Sequence, residues 1–193
     1  MLSIGITGGI GSGKSTIARI LKAMDFPVYI ADTQASYLMN THPEIRKEMQ
    51  QYFGDEIYTG DGILNKTLLA GIIFENPEAL ARVNSIVHPR VMANFRQWTH
   101  NQSSQLLFFE SAILFEAHLD TFFDQIICVT ASREERIRRV ARRDKSSPEA
   151  IQKRIQNQLD ETEKCKRSDF IIYNDDDHMV IGQILSILNK LQK

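Results

Sequence analysis

A glycine-rich run near the N-terminus, Gly8-Gly9-Ile10-Gly11-Ser12-Gly13-Lys14-Ser15-Thr16, constrains this chain more than any other segment. It has the spacing G-x-x-x-x-G-K-[ST] of a phosphate-binding loop. A β-branched, strand-like run, Leu2–Thr7, enters it, and a helical pattern at Ile17, Ile20, Leu21 and Met24 leaves it. Glycines at 8, 9, 11 and 13 free the backbone to turn its N–H groups, Ser12's among them, toward one anion. The helix opening at Gly13 points its positive end at the same place. Lys14 can reach the β- and γ-phosphates of a nucleotide, and the Ser15 hydroxyl can ligate Mg²⁺, with Thr16 completing the motif. The run predicts binding of a nucleoside triphosphate and leaves the phosphate acceptor open.

The 193 residues suit one α/β domain or a core with small insertions, and 42% apolar residues suffice for a packed interior. A formal net charge of −1 gives no global field to attract nucleic acid or an anionic membrane. The two cysteines, Cys128 in an apolar run and Cys165 in a charged one, suggest neither a disulfide framework nor a zinc site. They read as reduced thiols of a cytoplasmic protein. No apolar stretch is long enough for a bilayer, and Met1-Leu2-Ser3 lacks the features of a signal peptide.

Five short runs read as strands: Leu2–Thr7, Val28–Ala31, Gln105–Glu110, Gln125–Thr130 and Phe170–Tyr173. Most are continuously apolar, as strands of a parallel sheet covered on both faces are. With helical patterns between them, the expected fold is a doubly wound α/β sheet. Residues 1–32, 105–131 and 168–193 would form the nucleotide-binding core. Residues 33–104 hold helical patterns only, at Ile45/Met49/Phe53, Leu68/Leu69/Ile72/Ile73 and Val91/Phe95/Trp98, and read as a helical acceptor-binding insertion. Residues 132–167 read as a two-helix, arginine-rich arm of the kind that closes as a lid. In its charged run, Arg133 to Lys145, an apolar stripe is expected at Ile137, Val140 and Ala141. Arg136, Arg139 and Arg143 share one flank, and Arg138 and Arg142 the other. The last helix is expected to bury Ile181, Ile184, Leu185, Leu188 and Leu191, with Asp175-Asp176-Asp177 capping its N-terminus.

Asp32 follows the second strand, so in a parallel sheet it is expected on the rim that carries the glycine loop. There a carboxylate could accept a hydroxyl proton or hold a metal-bound water, or simply cap the next helix. Glu110 ends the third strand, the position of an acid near the metal in such nucleotide sites; its length suits a metal-bound water. Glu116 reads as structural. His88 reads as packed or capping, with Pro89 at a helix start.

Three classes of nucleotide protein fit a loop of this kind: a small-molecule kinase, a GTPase switch, and a motor or assembly ATPase. No glycine has an Asp three residues before it, and Asn65-Lys66-Thr67-Leu68 lacks the final Asp of a guanine-specificity motif, which argues strongly against a GTPase and leaves a GTPase or ATPase module as the lesser alternative. The insertion and the arm favour a kinase. Nearly the whole chain resembles the dephospho-CoA kinase family. The resemblance rests on Thr7 to Ser15, Ala31-Asp32, Phe53-Gly54, Leu64-Asn65-Lys66, Leu69-Ala70, Ile73-Phe74 and Ile86-Val87-His88-Pro89. It continues through Leu114-Phe115-Glu116, Arg139 with Arg143-Asp144, Gln158, and Ser168 to Asn174.

The resemblance implies transfer of the ATP γ-phosphoryl group to the ribose 3′-hydroxyl of dephospho-CoA, with Mg²⁺. It makes Asp32 the base, Arg139 a lid arginine on the phosphates, and Arg143 and Asn174 contacts to ATP. Phe74, His88 and Glu110 would face dephospho-CoA. The protein would act as a monomer or weak homo-oligomer. The chain departs from the family pattern at Ile30, Glu110, Ala112 and Lys164, where the family often has Asp, Asp, Pro and Arg. A nucleoside, nucleotide or shikimate-like alcohol is the alternative acceptor.

Overall fold

Short runs of β-branched and aromatic residues make the sheet of this chain. In the computed structural model, which describes residues 1–144 and 147–192, they form β1 (Leu2–Thr7), β2 (Val28–Ile30), β3 (Leu106–Glu110), β4 (Gln125–Thr130) and β5 (Phe170–Tyr173). Their order in the sheet is β2-β3-β1-β4-β5. β1 pairs in parallel with β3 on one side and β4 on the other, and β4 in parallel with β5. The strand that enters the glycine run is therefore the central one, with Ile4 and Ile6 fully buried. The expected five-stranded parallel sheet, flanked by helices on both faces, is what forms.

The chain divides into two compact units, Met1–Tyr29 with Ser103–Lys193, and Ile30–Gln102. In the first unit, alternate residues of a strand point to opposite faces, and Phe108 and Phe109 show it. Phe108 joins Ile17, Leu21, Ile127, Ile172, Ile184 and Leu188 under α1 (Lys14–Ala23) and α9 (Val180–Leu191). Phe109 stacks on Tyr29, ring centroids 5.4 Å apart, and lies 5.0 Å from Phe123. Three further helices of this unit, α6 (Arg133–Asp144), α7 (Pro148–Gln156) and α8 (Glu161–Lys166), lie between β4 and β5 in the chain. α8 packs on β4.

Several local expectations are corrected. β2 ends at Ile30 because helix α2 (Ala31–Thr41) begins at once, and β3 starts at Leu106 rather than Gln105. Asp32 sits inside the first turn of α2, whose N-cap is Ile30, so it does not cap. α9 buries Ile184, Ile187, Leu188 and Leu191 and leaves Ile181 and Leu185 exposed. Its N-cap is Met179; Asp175 is occupied instead with the Asp177 N–H and the His178 ring. α6 buries Arg136 and Val140, not an Ile137/Val140/Ala141 stripe. Among the described residues the arm holds three helices, not two. Lys145, the end of its charged run, lies outside the described residues.

The second unit is helical: α2, α3 (Pro43–Phe53), α4 (Lys66–Glu75) and α5 (Pro77–His100), with α2, α3 and α4 each packed on α5. Asn65 and Asn76 cap α4 and α5, accepting from the Leu68 and Ala79 N–H groups at 3.1 and 3.0 Å. Ile45, Met49, Leu69, Ile86, Val91 and Phe95 fill the interior. The Arg46 guanidinium donates to the Asn40 and Gly62 carbonyls and lies 4.8 Å over the Tyr58 ring. Gly62, at φ +73°, admits it; a Cβ there would meet the guanidinium. Pro89 lies inside α5 rather than at a helix start. It removes one helical N–H, and the buried side chains on either side, Val87 and Val91, carry the helix through.

His88, beside it, is half-buried, and burial lowers its imidazole below the ordinary 6.5. The folded protein thus resists a proton that the unfolded chain accepts. This contribution to stability is present above about pH 6.5 and lost as the pH falls through the lowered value. Urea midpoints at pH 7.5 and 5.5 should fall further for the wild type than for His88→Gln. An equal fall in both proteins would contradict the assignment.

Candidate active site

The glycine run turns between β1 and α1 with Gly8 at φ +146°, Gly11 at +81° and Gly13 at +98°. These are angles that L side chains rarely adopt. Space excludes a side chain as well: a Cβ on Gly11 would meet the Arg136 carbonyl and Val140, and one on Gly13 the Asn174 amide. Lys14, 8% exposed, folds back so that its ammonium donates to the Gly8 carbonyl at 2.9 Å and the Gly9 carbonyl at 3.2 Å. Ser12 N–H donates to the Gly9 carbonyl, and Thr16 N–H to the Gly13 carbonyl at 2.8 Å. Ser15 stands exposed in the first turn of α1. The Ser12 hydroxyl is buried without a hydrogen-bond partner among the described residues. A glycine-lined turn at a helix N-terminus, with an orphaned hydroxyl and a buried lysine, fits a phosphate anion.

Side chains from the last third of the chain hold this turn. Arg136 Nε donates to the Ile10 carbonyl at 3.0 Å, and Gln158 Oε1 accepts the Ile10 N–H at 2.8 Å. Ile10 is thus gripped by both its backbone groups. Asn174 Nδ2 donates to the Ser12 carbonyl at 2.8 Å, and Arg139 Nη1 reaches the same oxygen at 3.5 Å. Arg136 is 6% exposed. Burial disfavours its charge, and an ion pair with Glu161, at the start of α8, offsets that cost. Arg139 is clamped from within its own helix by Glu135, four residues earlier, at 2.7 Å.

Of the residues expected in the site, the first unit brings together Gly9, Gly11, Ser12, Gly13, Lys14, Arg139 and Asn174. Arg143 is turned to Asp144, whose carboxylate takes its Nε at 2.7 Å and Nη2 at 3.1 Å. Glu110 is buried at the end of β3, in register with Ile6 of β1. Asp32, Phe74 and His88 belong to the second unit. Asp32 and Phe74 are exposed, at the start of α2 and near the end of α4. Lys164, which stands where the family often has an arginine, is fully buried. Its ammonium is engaged by the Ala112 carbonyl and the Glu116 carboxylate, both at 2.7 Å.

Sequence reasoning missed Arg136 and Glu161. Arg136 was legible only as one of seven arginines and lysines in a charged run. Its one distinguishing signal is the i,i+4 spacing to buried Val140. Gln158 stood out through the family resemblance alone; nothing in its local sequence marks it as a partner of residue 10.

Comparison with known proteins agrees with this geometry. The dephospho-CoA kinase family model (CoaE) matches residues 2–179. A dephospho-CoA kinase of Bacteroides fragilis is 44% identical over 188 residues, 97% of this chain and 91% of its own length. One of Porphyromonas gingivalis is 37% identical over 193 residues, covering 100% of this chain and 95% of its own. A Thermus thermophilus protein of known crystal structure superposes with a TM-score of 0.89 at 31% identity, covering 100% of this chain and 98% of that one. With the loop, its braces and the sheet order all present and the family model spanning nearly every residue, the chain belongs to the dephospho-CoA kinase family.

Proposed function

We infer that this protein transfers the γ-phosphoryl group of ATP to the 3′-hydroxyl of the ribose of dephospho-CoA, forming coenzyme A. The observation that carries the reading is the family match over residues 2–179, which includes a phosphate loop gripped through Ile10 and Ser12. The backbone N–H groups of residues 8–13 other than those of Ile10 and Ser12, which Gln158 and the Gly9 carbonyl hold, bind the phosphates together with the α1 N-terminus. Lys14 exchanges the Gly8 and Gly9 carbonyls for phosphate oxygens, which are stronger, charged acceptors. Arg139 stabilises the charge that develops on the transferring group. Asn174 and Arg143 are contacts to ATP.

A Mg²⁺ ion accompanying ATP would find a hard oxygen donor in the exposed Ser15 hydroxyl; it supplies neutralisation of phosphate charge. Asp32 accepts the proton of the acceptor hydroxyl. Residues 33–104, with Phe74 and His88, offer the surface for dephospho-CoA, joined by Glu110. Residues 132–167 act as a lid. Among the described residues no helix is long and apolar enough to cross a membrane. We place the reaction in the cytoplasm, carried out by a monomer or weak homo-oligomer.

Lys14→Ala should abolish turnover and leave the fold intact by circular dichroism; near-normal turnover in the folded variant would sink the loop's role. Asp32→Asn should lower kcat by about 10²–10⁴-fold while the dissociation constant of ATP stays within a factor of two or so. The helix loses about 0.3–1 kcal/mol of charge–dipole stabilisation at most, because the residue is not the cap. A fully active Asp32→Asn would leave that dipole contact as the residue's whole role.

The acceptor is tested by kinetics across dephospho-CoA, AMP, adenosine and shikimate, with phosphorus NMR of the product. Remote contacts to a long acceptor position its hydroxyl. Removing the pantetheine arm should therefore cut kcat/KM strongly, and the new phosphate should sit on the 3′-oxygen. AMP or adenosine matching dephospho-CoA would make the protein a general nucleotide kinase instead.

A further inference from the structure

The two cysteines, far apart in sequence, meet in the fold. Cys128 lies in β4, fully buried, in register with Thr7 of β1. Cys165 lies in α8, which packs on β4. Their sulfur atoms are 3.3 Å apart. Both are free thiols. They differ in access. Cys165 is partly exposed and lines a cavity of about 670 Å³ together with Arg133, Arg136, Thr162 and Tyr173. Cys128 is fully buried.

We propose that Cys128 and Cys165 are a reversible dithiol–disulfide pair, a modification site whose oxidant is hydrogen peroxide. The cavity admits the peroxide to Cys165. The Cys165 sulfur attacks one peroxide oxygen, the O–O bond breaks, and the sulfur is oxidised to a sulfenic acid; the leaving hydroxide takes the thiol proton and departs as water. The Cys128 sulfur then attacks the Cys165 sulfur. The S–S bond forms, the S–O bond breaks, and the expelled hydroxide leaves as a second water with the Cys128 proton. Two thiols and one peroxide give one disulfide and two waters. An external dithiol reverses the bond by exchange.

Position assigns the order of events. Burial pushes the Cys128 thiol up, with the Cys165 sulfur as a further cause, so Cys128 is a poor first nucleophile. It is held against its target, and such placement replaces an encounter in solution. The sulfurs need to close by roughly 1.3 Å to reach a disulfide's 2.05 Å. The bond would span 37 positions of sequence. It would enclose α6 and α7 in one covalent loop anchored on β4, the strand beside β1. The helix drawn in, α8, also carries Glu161, the partner of the arginine that grips Ile10.

The test uses the full chain, reduced, freed of reductant and exposed to a few equivalents of hydrogen peroxide. Catalase then stops the reaction, and thiols are alkylated after denaturation. Intact mass should show the loss of two hydrogens with neither cysteine alkylated. A non-reducing digest should yield one peptide pair joined through Cys128 and Cys165, and dithiothreitol should restore both thiols. In Cys165→Ser the same dose should leave Cys128 alkylatable, because the accessible sulfur is gone. In Cys128→Ser, if it folds, Cys165 should stop at the sulfenic acid and be trapped by dimedone. Two free thiols in treated wild type would overturn the proposal. So would oxygen added to Cys165 with Cys128 still alkylatable. Neither readout depends on the enzyme's acceptor.

Discussion

A loop that binds phosphate through its backbone N–H groups faces one physical constraint: a group that points at a ligand cannot also donate to the loop's own carbonyls. A segment with few internal hydrogen bonds, here Ser12 N–H to the Gly9 carbonyl and the Lys14 ammonium to the Gly8 and Gly9 carbonyls, needs outside partners to keep its shape. Here the partners are side chains. Ile10 is held at its carbonyl by Arg136 and at its N–H by Gln158, and the Ser12 carbonyl is held by Asn174. All three lie after β4. The glycine run supplies the conformations, and the last third of the chain selects one of them.

Holding a loop this way brings charge into the interior, and the first unit manages it by pairing. Arg136 is buried against Glu161, and Lys164 against Glu116 and the Ala112 carbonyl. Unpaired buried charges are costly, and replacing such pairs by apolar side chains is often neutral or stabilising. Their value here is geometric. α8 carries Glu161 at its first position and Lys164 one turn later, so one short helix fixes both the arginine that grips the glycine loop and the segment after β3. Glu116 joins them by accepting the Leu159 N–H at 2.9 Å, next to Gln158. The structural reading of Glu116 from sequence fits this contact. Lys164 is engaged within the same network.

Much of the fold was legible because its signals are local. Continuous apolar runs mark strands, and all five were placed within a residue at each end, with β1, β4 and β5 matching fully. The helix phases that failed did so for tertiary reasons. α9 turns its Ile187 inward and its Ile181 outward, since the face that packs on β5 is set by the sheet rather than by the apolar count alone. α6 buries an arginine where a stripe of Ile137 and Ala141 was expected, because Ile10 offers that arginine a carbonyl. The nucleotide-binding loop itself was readable residue by residue, as its chemistry depends on spacing within nine positions. Its braces were not, because a contact such as Gln158 to Ile10 spans 148 positions and leaves no periodicity behind.

The claim on which this account turns is that the loop's competence for nucleotide depends on its grip at Ile10. The direct measurement is the calorimetric dissociation constant of ADP for the wild type, Arg136→Ala and Gln158→Ala at one salt concentration, each shown folded by circular dichroism. A loop that must first be ordered binds more weakly by the fraction of time it is ordered. The account predicts at least roughly tenfold weaker binding for each variant, and for the double variant a loss smaller than the product of the two. Wild-type affinity in both folded single variants would contradict it.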